Sequence, residues 1–429
     1  LIGGGIASLA AAAYLIKDGG MPGSNITIHE AGETFGGALD AGGDAEGGYF
    51  MRGGRMFEEK YLCLYELLSF IPSAVDASKS VREDIAEFYE TSGWYDEARL
   101  VGEHGAVIDA AQFGLSARHR LDLAIMAIMP EAHFEMKAIG DYFEPSFFET
   151  NFWFMFATIF AFTPAHSAME MRRYLHRFLH LLPAMANMSL VQRTRYNQYE
   201  SIVKPICAWL SRQGVNMLSG SSVTDIAFSF ADGRITAAGV TVEQPSGTKE
   251  ISIGAGDLVF LTNGSMVADA SRGSMTRPPE LITSKRDQSF SLWEKLAAGR
   301  HDFGRPEAFT CDVKRSAWES FTITARDPLL FGKLEALSGR KAGRGGLMTL
   351  VKSNWLITMA LLHPPHFIGQ PESISVAWGF GLFPEKEGNF IRKPMRLCTG
   401  AEVLEEVLRH LGFDEDIARI TAGVTCIPC

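Results

Sequence analysis

The segment Leu1-Ile2-Gly3-Gly4-Gly5-Ile6-Ala7-Ser8 restricts what this chain can fold into more than any other stretch. Leu1 and Ile2 end a buried strand, the glycines turn, and Ala7 to Lys17 follows as an alanine-rich helix stopped by Asp18-Gly19-Gly20. Ile26 to Glu30, with β-branched alternation, is a second short strand, which completes a βαβ unit of about 30 residues. In that setting Gly3-x-Gly5-x-x-Ser8 reads as a dinucleotide site. Gly3 and Gly5 form the tight turn and let the backbone approach a pyrophosphate, held at the helix N-terminus by the first turn, Ile6 and Ala7 included. Ser8 stands where a third glycine is usual, and a residue that small still permits close helix–strand packing. Glu30, at the end of the second strand, is placed to accept hydrogen bonds from ribose hydroxyls. Because the sequence opens inside its first strand, further residues are expected upstream.

A chain of 429 residues is too long for one hydrophobic core, so about two or three domains are expected. Hydrophobic residues at 46% and charged residues at 21% describe a folded protein rather than a disordered one. The net charge of −10 argues against nucleic acid as the main partner, which needs a concentrated basic surface. An anionic small molecule needs only a local pair of donors. Cys63, Cys207, Cys311, Cys398, Cys426 and Cys429 are scattered and no signal peptide precedes them, which points to a reducing cytoplasm. Cys426-x-x-Cys429 lacks a thioredoxin-like context or a second ligand pair and reads as incidental thiols. The longest aromatic–apolar run, Phe152 to Phe162, is far short of the ~20 residues of a membrane span. Peripheral membrane contact is compatible with this pattern; crossing is not.

Helical patterns dominate from about 58 to 200: Tyr61–Ile71, Leu121–Ile128, Phe147–Phe162, Ala168–Leu182 and Gln198–Arg212. Strand patterns follow at Val215–Leu218, Val223–Phe228, Ile235–Val242, Glu250–Ile253 and Leu258–Thr262. Residues 305 to 392 look β-rich, and Ala401–Leu411 is a helix ended by Gly412. With no repeat or low-complexity linker, the domains are expected to interleave: 1–75, 200–270 and 395–429 as a discontinuous dinucleotide-binding domain, 76–199 as a mainly helical substrate or lid domain, and 271–394 as a β-rich substrate domain. The fold class is α/β.

The residues after Glu30 decide which dinucleotide. Phe35-Gly36-Gly37-Ala38-Leu39-Asp40 resembles the glycine pair that follows the ribose acid in the glutathione-reductase-like FAD proteins, amine oxidases included. The resemblance implies a Rossmann-like FAD domain, with a strand at Val223 reaching the adenine and the stretch through Asn263 and Ser265 closing the pocket. The expected cofactor is FAD.

A closer resemblance rests on longer segments. Tyr49-Phe50-Met51-Arg52-Gly53-Gly54-Arg55 is similar to the flavin-facing loop of the oleate hydratase family. Cys63-Leu64-Tyr65-Glu66-Leu67, Ser167-Ala168-Met169-Glu170-Met171-Arg172-Arg173-Tyr174, Tyr196-Asn197-Gln198-Tyr199, Ser353-Asn354-Trp355-Leu356 and Trp378-Gly379-Phe380-Gly381-Leu382 match it in order over almost the whole chain. The family adds water across an isolated cis double bond of an unsaturated fatty acid, typically giving a 10-hydroxy acid, with FAD undergoing no net redox change. The resemblance assigns the general acid to Tyr174. On the residues alone, Tyr174 beside Arg172 and Arg173 is either a phenol whose pKa nearby cations lower or a core tyrosine with solvated arginines. Gln198 and His366 match the family's carboxylate-binding cluster. The family continues past Cys429, and relatives often dimerise partly through terminal segments, so a monomer is the expectation here.

Two positions depart from the family. Met56 stands where a glutamate follows Arg-Gly-Gly-Arg, and methionine cannot orient water by accepting a proton. Glu58 or Glu59, or a water network at the flavin, has to substitute, or activity is low or altered. The threonine and asparagine expected with Gln198 and His366 are Ala360 and Leu362, a loss of two hydrogen bonds worth about 0.5–1.5 kcal/mol each. A redox flavoenzyme of amine oxidase or fatty-acid isomerase type, and a non-catalytic fatty-acid-binding flavoprotein, are the alternatives. His176 and His180 lie one turn apart but lack a third ligand and read as a polar helix surface. The Phe152–Phe162 run fits core packing and an acyl tunnel equally.

Overall fold

The computed structural model describes residues 1–93, 96–265, 267–284, 288–344 and 347–429. Its N-terminal part is a small parallel sheet. Strand Thr27–His29 pairs in parallel with Asn216–Leu218, and Ile2 lies between His29 and Leu261, bridged to both in parallel. Ile2 N–H donates to Phe260 O at 2.8 Å and Thr262 N–H to Ile2 O at 3.0 Å, so the expected strand at 258–262 is present as a bonded edge. Helices Ile6–Lys17 and Lys204–Arg212 pack on this sheet, burying Leu9, Ala12, Ile28, Ile206 and Leu210 together. This is the Rossmann-like arrangement the glycine turn requires. An antiparallel meander, Ser222–Ala231, Arg234–Gln244 and Gly247–Ser252, packs Val223, Ile226, Val240 and Val242 around Ile2.

The second sheet has seven strands in the order 424–428, 319–325, 375–381, 357–361, 348–350, 100–101, 107–108. Period-2 alternation splits its faces. Phe321, Ile323, Ile357, Met359 and Ala377 enter one core under helices Leu329–Ser338 and Gly400–His410. Ala360, Leu362, Val376, Trp378 and Phe380 face the opposite core, which the aromatic helix Asn151–Phe160 and helix Ala168–Phe178 cover. Strand 424–428 pairs with 319–325, and helix 400–410 packs in the same layer. Strand 424–428 and helix 400–410, which the sequence reading assigned to the dinucleotide-binding part, thus pack with this sheet.

Three long helical patterns are interrupted. Phe147–Phe162 becomes a short 3-10 turn and then helix 151–160, because Thr150 caps the new start by accepting from Trp153 N–H. The helix from Ala168 ends at Phe178 and continues as a 3-10 turn over 179–184, which holds Pro183. At Gln198–Arg212, Tyr199–Val203 is a π turn that precedes helix Lys204–Arg212, since Pro205 has no N–H to bond residue 201. No helix of the described residues is long and apolar enough to cross a membrane.

Candidate active site

The nucleotide cleft grows out of the first turn. Gly3 has φ +90°, a left-handed conformation, and a Cβ there would also press to 3.2 Å on Asn263 Oδ1 and Thr262 Oγ1. Gly5 is the N-cap of helix Ile6–Lys17 without a side-chain cap, and a Cβ on it would meet no atom within 4 Å. The N–H groups of Ile6 and Ala7 thus face open space at the positive end of a helix, the condition for holding a pyrophosphate. Thr262 Oγ1 donates to Ile2 O at 3.1 Å, so Ser8, 2.7 Å away, donates to Thr262 and ties helix to strand. Glu30 accepts from Gly4 N–H at 2.8 Å and Gly32 N–H at 2.7 Å, which fixes its carboxylate beside the glycine turn, where a ribose hydroxyl would find an acceptor.

Arg52 organises the flavin-side loop. Its Nε donates to Asp40 at 2.5 Å, Nη2 to Gly37 O at 2.9 Å and Nη1 to Val267 O at 3.2 Å, while Ser265 accepts from Val267 N–H at 3.2 Å. Val223 is buried against Ile2, just before a register shift in the meander. The bare glycine cradle, the uncapped helix start and Glu30 together fit FAD. Replacing Glu30 with Ala would remove the proposed ribose acceptor and strand the Gly4 and Gly32 donors. FAD affinity in Glu30→Ala is expected to fall about tenfold or more, the scale of one hydrogen bond to a charged group. Unchanged affinity in a fluorescence titration would remove Glu30 from the ribose site.

Beyond Arg52, Gly53 and Gly54 open onto a cavity of about 330 Å³. Arg55, Met56 and Glu58 line one side of it and Phe160, Tyr174 and Phe178 the other. A smaller chamber of about 50 Å³ adjoins it, mostly apolar (Ala360, Leu362) but with Arg193, Gln198 and His366 in its wall. Arg55, Met56 and Trp378 border both. The aromatic run divides between the two readings left open: Phe152 and Trp153 are core, whereas Phe156, Ile159 and Phe160 line the cavity.

Gln198, at the start of the π turn, donates through Nε2 to Arg55 O at 2.7 Å and leaves Oε1 without a partner in the chain. His366 is tied to the same turn by Asn197 N–H donating to its carbonyl at 2.8 Å, and neither of its ring nitrogens is bonded. Burial, with Arg193 and His363 adding to it, pushes the His366 imidazole down to about 3, so it is neutral and offers one N–H. Arg55 Nη1 is likewise buried without a partner, and burial, then Arg52, pulls this guanidinium below its ordinary value. Gln198 and His366 thus line the same chamber.

Tyr174 sits on helix Ala168–Phe178 with its ring against Phe160 and Phe162, centroids 5.1 and 5.0 Å away. Arg172 and Arg173 do not lower the Tyr174 pKa as their sequence neighbourhood suggested. Arg173 forms a two-point pair with Glu131, at 2.9 and 2.6 Å, and Arg172 donates to Met129 O at 2.7 Å. Burial, then the carboxylate of Glu170 one turn back, raises the Tyr174 pKa instead. The phenol is therefore a fully protonated donor at neutral pH.

Glu58 is buried on the cavity wall. Burial pushes its pKa up, but Lys60 N–H at 2.9 Å, His180 at 3.1 Å and Arg177 at 2.5 Å outweigh that and hold it below the usual carboxylate range. Glu59 is exposed. His180 thus serves Glu58, His176 lies 2.8 Å from Ala127 O, and no metal-binding group occurs among the described residues. Cys426 is buried and burial raises both C-terminal thiols, as suits inert cysteines. Sequence reasoning missed Arg193, whose Nη2 approaches Met56 Sδ at 3.7 Å and which burial brings down to about 9 against the carboxylate of Asp96. Nothing in Gln192-Arg193-Thr194-Arg195 distinguishes it from Arg195, which pairs with Asp84 at 3.3 Å.

A family model described as "MCRA family" matches residues 1–429. The chain belongs to the MCRA family. Among curated relatives, an oleate hydratase of Streptococcus pyogenes serotype M49 (strain NZ131) is 35% identical over 433 residues, covering 97% of this chain and 71% of the relative. A linoleate hydratase of Lactiplantibacillus plantarum is 32% identical over 445 residues, covering 96% and 78%. A solved structure from Exiguobacterium sp. 255-15, described as a protoporphyrinogen oxidase, superposes with a TM-score of 0.51 at 14% identity, over all of this chain and 85% of the other. That likeness shows the fold of this MCRA chain, not its chemistry.

Proposed function

We propose that this protein is a FAD-dependent hydro-lyase that adds water to the cis double bond of an unsaturated fatty acid such as oleate, giving a 10-hydroxy acid. The observation that carries the reading is the junction of the two cavities. An apolar space lined by Tyr174 meets a small chamber holding Gln198, His366 and two arginines at Gly54, Arg55 and Met56, next to the cofactor loop. An acyl chain fits the first and a carboxylate the second.

Addition of water changes no electron count in the substrate, so FAD when bound supplies shape and electrostatics rather than oxidation. Tyr174 donates its phenolic proton to one alkene carbon, and water attacks the other as positive character develops there. The water's surplus proton leaves to a carboxylate or solvent and returns to the phenolate. Glu58 is the acceptor the geometry favours. A carboxylate has about four acceptor positions, and Lys60 N–H, His180 and Arg177 use three, leaving room for one water. The relatives' names, oleate hydratase and linoleate hydratase, support the substrate class. Product analysis with FAD-loaded protein and oleate tests the proposal against the redox alternative. Hydroxy acid with the flavin oxidised throughout supports it; a shifted double bond or an oxidised product coupled to flavin reduction contradicts it.

A further inference from the structure

The chamber holds one more buried donor than the family resemblance assigns. Trp378 is 4% exposed, its indole Nε1 has no partner in the chain, and it borders both cavities. In the sheet it lies directly opposite Ala360, and period-2 alternation turns both side chains to the same face. Ala360 is the position where the family's threonine would place a hydroxyl across from the indole. Leu362, the asparagine position, continues the same face two residues on. By the family resemblance, two neutral hydrogen-bonding groups are thus missing beside a tryptophan whose N–H has no partner in the chain. A buried donor left unbonded is costly, and an indole can only donate.

We propose that the Trp378 indole N–H is a substrate-binding group in this protein, donating to the fatty-acid carboxylate in place of the missing threonine hydroxyl. The inference rests on the reading of the chamber as the head-group site. His366, a neutral imidazole in the loop after strand 357–361, and Trp378, mid-way along strand 375–381, are then the neutral donors to the carboxylate, with Arg55 Nη1 as the charged one. The same indole packs beside Gly54, where a Cβ would stand 3.4 Å from its ring, so carboxylate and cofactor loop are set by one side chain.

Calorimetric titration of the FAD-loaded protein with laurate and with lauryl alcohol, neither of which can be hydrated, tests this. Trp378→Phe keeps an aromatic ring and removes the N–H. Laurate affinity is expected to fall about tenfold or more, the low end for a hydrogen bond to a charged group, while lauryl alcohol affinity changes far less. Adding Ala360→Thr to Trp378→Phe is expected to restore part of the laurate affinity. Equal loss for both ligands, or no loss for either, overturns the assignment, the first outcome marking Trp378 as packing only. Gln198→Leu separates the two layers of the argument. If it weakens laurate and Trp378→Phe does not, the indole assignment alone fails; if neither weakens laurate, the head-group site lies elsewhere.

Discussion

Tyr174→Phe is expected to fold, hold FAD and lose fatty-acid hydration by at least about 10²-fold, the low end for a positioned general acid. The phenol ring contributes packing through edge contacts to Phe160 and Phe162 and a tilted contact to Phe178, all of which a phenylalanine keeps. Only the proton donor is lost. Because burial and Glu170 raise this pKa above its ordinary value near 10, the group stays protonated below that pH, and Tyr174 causes no fall in rate between about pH 7 and 9. Hydroxy-acid yield, flavin absorbance and melting temperature measured together check this. A phenylalanine variant that keeps most of its activity would make Tyr174 a packing residue and place the proton source elsewhere.

The second large effect is a gain. Met56 borders both cavities and stands beside the Arg193 guanidinium. A glutamate there would be a buried carboxylate next to a buried cation, which offsets much of its desolvation cost. It would also add an acceptor for water close to the cofactor loop. Met56→Glu is expected to raise turnover by up to about 10²-fold, limited to the low end of acid–base contributions because Glu58 already supplies an acceptor. Met56→Gln, of the same shape without the charge, is expected to give no such gain. A glutamate variant with wild-type kinetics and full FAD content would mean that Met56 does not face the reacting double bond.

Local geometry explains which features were legible in the sequence. The Gly3–Ser8 turn and Glu30 could be read directly, because positive φ, close backbone approach and the strand end are set by neighbours in the chain. The pairing that sets Ala360 opposite Trp378 was not legible: residues 305 to 392 read only as β-rich, because register is fixed between strands distant in sequence. The cavity residues were legible only through family resemblance, since Met56, Tyr174 and Gln198 meet through contacts far apart in sequence. The error over Tyr174 has a simple cause: side chains one and two positions apart on a helix do not face each other, so Arg172 and Arg173 point to Met129 and Glu131 while Glu170, four back, faces the phenol. The π turn after Gln198 was missed because the helical pattern Gln198–Arg212 was read straight through Pro205, whose missing N–H interrupts it. Arg193 gave no signal beyond its charge.

The central claim is that this protein adds a solvent water to an unactivated alkene. Incubating FAD-loaded protein with oleate in heavy-oxygen water, followed by mass spectrometry of the products, tests it most directly. A hydroxy-stearate carrying one heavy oxygen at carbon 10, formed with the flavin still oxidised, is the predicted result. Product oxygen that comes from dioxygen instead, or recovery of unchanged oleate from protein with full FAD content, would contradict it.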